Sequence, residues 1–244
     1  MSQKRLYVSD RLLPGGELHL GDEQSRYLGR VLRLKSGDNI NVFNGDHGEW
    51  AATITRFERQ GATLVIHDKV RDDPEPVLHI HLVQGVSRGE RMDFVVQKCT
   101  ELGVSRISPV LTDHSVIRFD DKRAAKRWRH WRRVAENACE QSGRIRPPCI
   151  DSPMPLRHWF GSAVEREACG IILRPDSETR IAELARPRSG LRLLVGPEGG
   201  FSQREYEDAQ AAGFAAATIG PRILRTETAA IAAVAIVQSW WGDI

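Results

Sequence analysis

Two stretches in the last quarter of the chain carry the residue types that bind and activate a small charged ligand. In the first, Val195-Gly196-Pro197-Glu198-Gly199-Gly200, glycines let backbone amides approach a ligand without side-chain obstruction, and Ser202 with Glu205 forms a capping box that opens a helix. As a bare pattern, such a turn is more often only a turn. It is also not a familiar nucleotide loop: no G-x-G-x-x-G follows an early strand and no G-x-x-x-x-G-K-[ST] occurs, so dinucleotide and P-loop readings fall away. In the second stretch, Ile219-Gly220-Pro221-Arg222-Ile223-Leu224-Arg225-Thr226-Glu227-Thr228, cations, a carboxylate and hydroxyls precede an apolar helix. Charge at such a junction costs stability unless it is paired or used.

The elements that must position these loops read as two domains. Residues 4 to 70 give short strands at 5–8, 17–20, 39–43, 50–57 and 62–70, separated by Gly15-Gly16, Asn44-Gly45 and Gln60-Gly61, a pattern that fits a small barrel. Between them, residues 22–34 place Tyr27, Leu28, Val31 and Leu32 on one helical face and leave Arg26, Arg30 and Arg33 as a basic row. The charged, proline-bearing run Arg71-Asp72-Asp73-Pro74-Glu75-Pro76 interrupts regular structure, and the division is placed there: 1–72 and 73–244. Beyond it, strands (78–84, 107–111, 170–174, 192–195, 217–219) alternate with helices (91–102, 121–141, 155–160, 181–185, 202–212, 226–241). The expected class is an α+β two-domain chain whose second domain is α/β with a mostly parallel sheet. Ligands of such sheets bind beyond the carboxyl ends of the strands, which is where both loops fall.

With 244 residues, 41% hydrophobic and 27% charged, the chain can bury a core without disulfides or metal. Its longest apolar run, Ala229 to Val237, is far short of the roughly 20 residues needed to span a bilayer, and its start lacks a signal-peptide pattern, so a cytoplasmic protein is expected. Cys99, Cys139, Cys149 and Cys169 show no metal-ligand spacing and read as reduced core residues. His79 and His81 share one side of a strand without a third ligand, so no metal is expected. The net charge of +3 hides a patch: from Lys122 to Arg146, nine Lys or Arg face two Glu. Such a helix either attracts phosphate backbone, with Trp128 and Trp131 offering stacking surfaces, or is a solvated face whose tryptophans turn inward. The final helix is apolar on nearly every side and needs neighbours all round, within the monomer or in a dimer.

The pairing of the two loops resembles the RsmE family of ribosomal RNA methyltransferases, members of the SPOUT superfamily. Three further stretches look like the family's motifs in the same order: Ser87-Arg88-Gly89-Glu90-Arg91-Met92-Asp93, residues 97–104, and Ala138-Cys139-Glu140-Gln141-Ser142-Gly143-Arg144. So do Arg5-Leu6-Tyr7 and Gly29-Arg30-Val31-Leu32-Arg33. The resemblance implies an N-terminal PUA-like β-barrel for RNA and a C-terminal SPOUT domain with a trefoil knot. It implies S-adenosylmethionine as cofactor, a homodimer, and methylation of N3 of a uridine in the decoding region of 16S ribosomal RNA. The cofactor residues it suggests are Leu173, Val195, Gly196, Pro197, Glu198, Gly199, Gly200, Ile219, Gly220, Arg222, Leu224, Thr226 and Thr228. The RNA-binding residues are Arg5, Arg30, Arg33, Arg88, Lys98, Gln141 and Arg144.

For that reaction the acceptor must lose an imide proton. Arg225 stabilises the resulting negative charge and Glu227 accepts the proton, or the two form a structural ion pair and the proton leaves to solvent. Two rivals differ in class or substrate. A noncatalytic RNA-binding factor would not need both loops intact, and a ribose 2′-O-methylating relative would not need the motifs at residues 5–33.

Overall fold

The computed structural model describes residues 4–46, 48–58, 61–73, 76–115, 120–162 and 168–244. The chain divides into one unit of Met1–Glu75 with Cys139–Pro147 and a second of Pro76–Ala138 with Pro148–Ile244. Residues 139–147 therefore group with the N-terminal residues, although the sequence division placed them in the second domain.

In the first unit, β1 (Arg5–Tyr7), β2 (Glu17–Leu20), β3 (Asn39–Phe43), β4 (Glu49–Glu58) and β5 (Gly61–Arg71) form a sheet of order β1-β3-β4-β5-β2. β1 runs parallel to β3 and the other pairs are antiparallel. Alternation supplies the core: Ala52 and Ile54 of β4 and Ala62, Leu64 and Ile66 of β5 point inward with Leu6, Ile40 and Val42. Between β2 and β3, α1 (Asp22–Arg26) is short and continues as a π-helical turn over Tyr27–Val31. The amide of Leu32 reaches back to the Tyr27 carbonyl, which rotates the face and leaves Val31 exposed while Leu28 is fully buried. The single thirteen-residue helix expected here is thus broken by one wide turn.

This unit is held by a buried charge cluster. The Glu49 carboxylate, 2% exposed, accepts from Arg5 Nε (2.9 Å), Asn41 Nδ2 (2.8 Å) and Arg71 Nε (2.7 Å). Arg5 also donates to the carbonyls of Cys139, Glu140 and Arg144 (2.8 Å), and Arg71 to that of Gly143, so the two guanidiniums hold residues 139–144 in this unit. Burial works to raise the Glu49 carboxyl, but the bonds from Arg5, Asn41 and Arg71 outweigh it and hold it below the usual range.

In the second unit, β6 (Ile80–Gly85), β7 (Arg106–Leu111), β8 (Cys149–Ile150), β10 (Cys169–Leu173), β11 (Leu191–Val195) and β12 (Phe214–Ala217) form a parallel sheet of order β12-β10-β11-β6-β7-β8, with β9 (Met154–Pro155) beside β7. Helices α2 (Arg91–Glu101), α3 (Asp121–Ser142), α4 (Leu156–Gly161), α5 (Gln203–Ala211) and α6 (Thr226–Trp241) complete the unit's elements, α3 ending in residues of the first unit. Neighbouring strand residues serve opposite faces. Leu82 and Leu193 meet Val95, Val96, Trp131, Val234 and Val237 on one side, whereas Val83 and Leu194 meet Leu156, Trp159, Ala209 and Phe214 on the other. The strand expected at 217–219 lies at 214–217 instead, so Ile219 falls beyond the sheet, in the loop. Residues 181–185 form only a 3₁₀ turn, Ile181–Glu183.

His81 is buried and hydrogen-bonded to Ser108 (2.7 Å), while His79 lies outside β6 and is exposed. All four cysteines are free thiols. Cys99 and Cys139 are buried as expected, but Cys149 and Cys169 are exposed, a correction to their assignment as core residues. No helix among the described residues is long and apolar enough to cross a membrane.

Candidate active site

A cavity of about 490 Å³ opens at the carboxyl ends of β10, β11 and β12, within the size range of small-molecule sites. Leu173 closes β10 and Val195 closes β11; Ile219, Leu224 and Ala217 add apolar wall. Gly196, Pro197, Glu198, Gly199 and Gly200 form one rim, and Arg222, Arg225, Thr226 and Glu227 the other. Gly220 and Thr228 do not line it; Thr228 is exposed on α6.

The two rims are tied together below the cavity. The Thr226 hydroxyl, 6% exposed, donates to the Gly196 carbonyl (2.6 Å) and accepts from Gln84 Nε2 (3.0 Å), which also donates to the Gly85 carbonyl (3.0 Å). One hydroxyl thus joins the end of β6, the glycine loop and the start of α6. A Cβ at Gly85 would collide with the Pro197 ring and backbone nitrogen, so only glycine lets the loop settle against β6. On the far side the His114 ring meets the Gly199 carbonyl (2.8 Å). Asp113 accepts from the Ser202 hydroxyl (2.7 Å) and donates its amide to Glu205 (2.9 Å), which bolts the helix cap to the loop after β7.

The charges are unevenly committed. Glu198 accepts from the Arg88 amide (3.1 Å) and from Arg91 Nη1 (2.6 Å). Burial works to raise its carboxyl, but its own amide, that of Arg88 and the Arg91 guanidinium together hold it below the usual range. Arg91 Nε lies 4.0 Å from Glu227 Oε1, whose other oxygen is buried without a hydrogen-bond partner. Arg225 is exposed and pairs with no carboxylate among the described residues, so the structural Arg225–Glu227 ion pair is not what the fold builds.

Of the residues considered for RNA, Arg30 and Arg33 are exposed in the first unit, Arg33 with a positive φ of 56°. Arg5 is not available to phosphate: its guanidinium is spent on Glu49 and three carbonyls, a correction to its expected role. Lys98 is half-buried and paired with Glu101 (2.8 Å). Arg88 and Gln141 are exposed; Arg144 is half-buried and lends its carbonyl to Arg5. Sequence reasoning missed Gln84, His114 and Tyr206 at or beside the cavity and had Arg91 only as a member of the stretch 87–93, without a role. Gln84, a polar residue closing the strand Ile80–Gly85 in which His81 is the other polar side chain, was the one available signal.

The comparisons with known proteins agree with this architecture. A family described as an RNA methyltransferase domain matches residues 73–238, and an RNA methyltransferase PUA domain matches residues 20–66. The class is therefore an RNA methyltransferase domain coupled to a PUA domain. The Ribosomal RNA small subunit methyltransferase E of Buchnera aphidicola subsp. Acyrthosiphon pisum is 33% identical over 241 residues, 98% of this chain and 94% of the relative. A Legionella pneumophila protein solved in complex with bound SAM superposes with a TM-score of 0.94 at 36% identity, covering 100% of both chains. The Neisseria gonorrhoeae Ribosomal RNA small subunit methyltransferase E bound to S-adenosyl methionine superposes at 0.89 and 36%, covering 99% of both. The chain belongs to the ribosomal RNA small subunit methyltransferase E family.

Proposed function

We propose that this protein transfers a methyl group from S-adenosylmethionine to N3 of a uridine in the decoding region of 16S ribosomal RNA, as a cytoplasmic homodimer with a PUA-like barrel and a knotted SPOUT domain. The observation that carries the reading is the cavity walled by Leu173, Val195, Ile219 and Leu224 and rimmed by Gly196–Gly200. An apolar slot with exposed backbone groups suits an adenine and ribose. Relatives sharing 36% of the sequence hold this cofactor. The dimer is supported by α6, where Ile231, Ala232, Ala235 and Ile236 stay partly exposed and Trp240 is 49% exposed.

When bound, the cofactor supplies an electrophilic methyl group; the protein must align the acceptor and make it nucleophilic. Arg225, with no carboxylate partner among the described residues, stabilises negative charge spreading onto the uracil carbonyl oxygens. Glu227 Oε2, buried without a hydrogen-bond partner, accepts the N3 proton, with the Arg91 guanidinium 4.0 Å from the other oxygen. Glu198, already bound by Arg88 and Arg91, shapes the loop. The test is methyl transfer from labelled cofactor to 30S particles and to naked 16S RNA, followed by nucleoside identification. Label in N3-methyluridine is expected; label in ribose 2′-O-methyl nucleosides, or none, refutes the reading.

A further inference from the structure

On the first half of α3 the two tryptophans are committed to the protein. Trp131 is 1% exposed and donates to Asp93 (2.9 Å); Trp128 donates to the Ile150 carbonyl (2.7 Å) and carries Arg132 on its face, 5.0 Å from the ring centre. Neither offers a free stacking surface for a base. Outward, Lys122, Lys126, Arg129 and Arg133 are all exposed. Their i, i+4, i+7, i+11 spacing puts them in one row along the helix, roughly 16 Å long at 1.5 Å per residue.

The carboxylates near this row sit at its two ends, Glu136 beside Arg133 as well as Arg132. Asp120 pairs with Arg123 (3.6 Å) and Glu136 with Arg132 (3.9 Å). Among the described residues Lys122, Lys126 and Arg129 have no acidic partner, and Arg129 bonds only to the Ala125 carbonyl (3.3 Å). Like charges at i and i+4 repel, so Lys122 and Lys126, which pair with no carboxylate among the described residues, cost the isolated protein stability. A polyanion returns it, by replacing the repulsion with contacts and releasing its condensed counterions.

We propose that this face of α3 is an RNA track: Lys122, Lys126 and Arg129, with Arg133 at its end, grip successive phosphates without reading sequence, since no aromatic or base-specific group stands among them. This rests on the RNA-methyltransferase reading above, and it adds a phosphate-binding surface outside the cavity and outside the motif residues.

The test compares two full-length triple variants with the same loss of charge: Lys122→Gln/Lys126→Gln/Arg129→Gln, and a control at three exposed arginines off the row, Arg157→Gln/Arg186→Gln/Arg188→Gln. Glutamine has nearly the helix propensity of Lys and Arg, so α3 persists. Binding to a naked 16S transcript and to an unrelated transcript of equal length is measured against salt. At about 0.7 counterions per single-strand contact, the row variant's log–log slope falls by about 2. Its affinity drops roughly a hundredfold at 0.1 M salt, equally on both RNAs. The control and the affinity for S-adenosylmethionine stay at wild-type values. Equal losses in the two triples, or a loss confined to the 16S transcript, overturns the proposal. If the wild type methylates no RNA, the enzymatic reading fails, while the salt slopes still report on the track.

Discussion

Replacing Thr226 by Val tests whether the two rims of the cavity are held by one hydroxyl. Valine keeps the shape and removes the oxygen that donates to Gly196 at 2.6 Å and accepts from Gln84 at 3.0 Å. Gln84 keeps its bond to Gly85, so one amide proton and one carbonyl lose their partner. At about 1–3 kcal/mol for each buried group left unsatisfied, the loss is about 2–4 kcal/mol, with the partly exposed Gly196 carbonyl at the lower end. For a domain of this size that lowers the melting temperature by roughly 5–15 °C. Thr226→Ser keeps the oxygen and gives up one methyl, about 1 kcal/mol. Since the freed carbonyl belongs to the glycine loop, the valine variant should also bind S-adenosylhomocysteine at least tenfold more weakly by calorimetry, and the serine variant close to normally. If Val and Ser behave alike in both melting and binding, the hydroxyl does not join the rims.

Three other outcomes are expected. Glu49→Gln leaves Arg5 and Arg71 without their buried carboxylate and should cost about 3–5 kcal/mol in denaturant unfolding. Because the folded Glu49 carboxyl is held low, its stabilisation is complete above the ordinary carboxylate range and is lost as pH falls through the lower folded value; the variant should lack that acid-side slope, and an unchanged slope would contradict the cluster's role. Arg225→Ala should slow single-turnover methyl transfer about a hundredfold while RNA affinity changes little, since stabilisation of developing charge acts in the transition state; equal losses in both would make Arg225 a binding residue. Arg30→Ala/Arg33→Ala should lower the salt slope of RNA binding by about 1.4–1.8 without altering cofactor affinity, and unaltered RNA binding at low and moderate salt would remove the first unit from RNA recognition.

The legible parts of the fold were those with long periodic patterns or two turn signals. The strands of the first unit and helices α2, α3 and α6 lie within a few residues of their expected bounds because alternation and the 3.6-residue repeat report directly on burial. The π turn at Tyr27–Val31 was not legible, since inserting one residue into a helical turn leaves no compositional trace. The position of β12 was misread because its alanines carry little strand signal, whereas Phe214, packed over Gly170, sets where the strand lies. In the site, both loops were visible from glycine content and misplaced charge. What joins them was not: Gln84 is 142 residues from Thr226 and Arg91 is 107 from Glu198, and no local pattern encodes such pairings. Arg5 shows the converse error, a motif arginine whose partners at residues 139–144 turn it into a structural clamp.

The charge around the cavity sorts itself by partner. Arg91 is held by Glu198 and lies beside Glu227, and Arg174 is held in two bonds by Asp176 and stacks on Tyr206, 4.7 Å from the ring centre. These two guanidiniums neutralise carboxylates and order the walls. Arg222 and Arg225, both exposed, meet no carboxylate among the described residues. Among the described residues lining the cavity, unspent positive charge therefore sits on the rim carried by residues 219–225, and a buried carboxylate oxygen without a hydrogen-bond partner, Glu227 Oε2, sits at the start of the helix that follows it. A reaction that removes a proton from a neutral base and leaves negative charge on its oxygens needs an acceptor and a free cation within one base of each other. In the proposed reaction both come from a single turn of chain, Arg225 to Glu227, while the opposite rim, with its carboxylate already bound, is left to hold the donor.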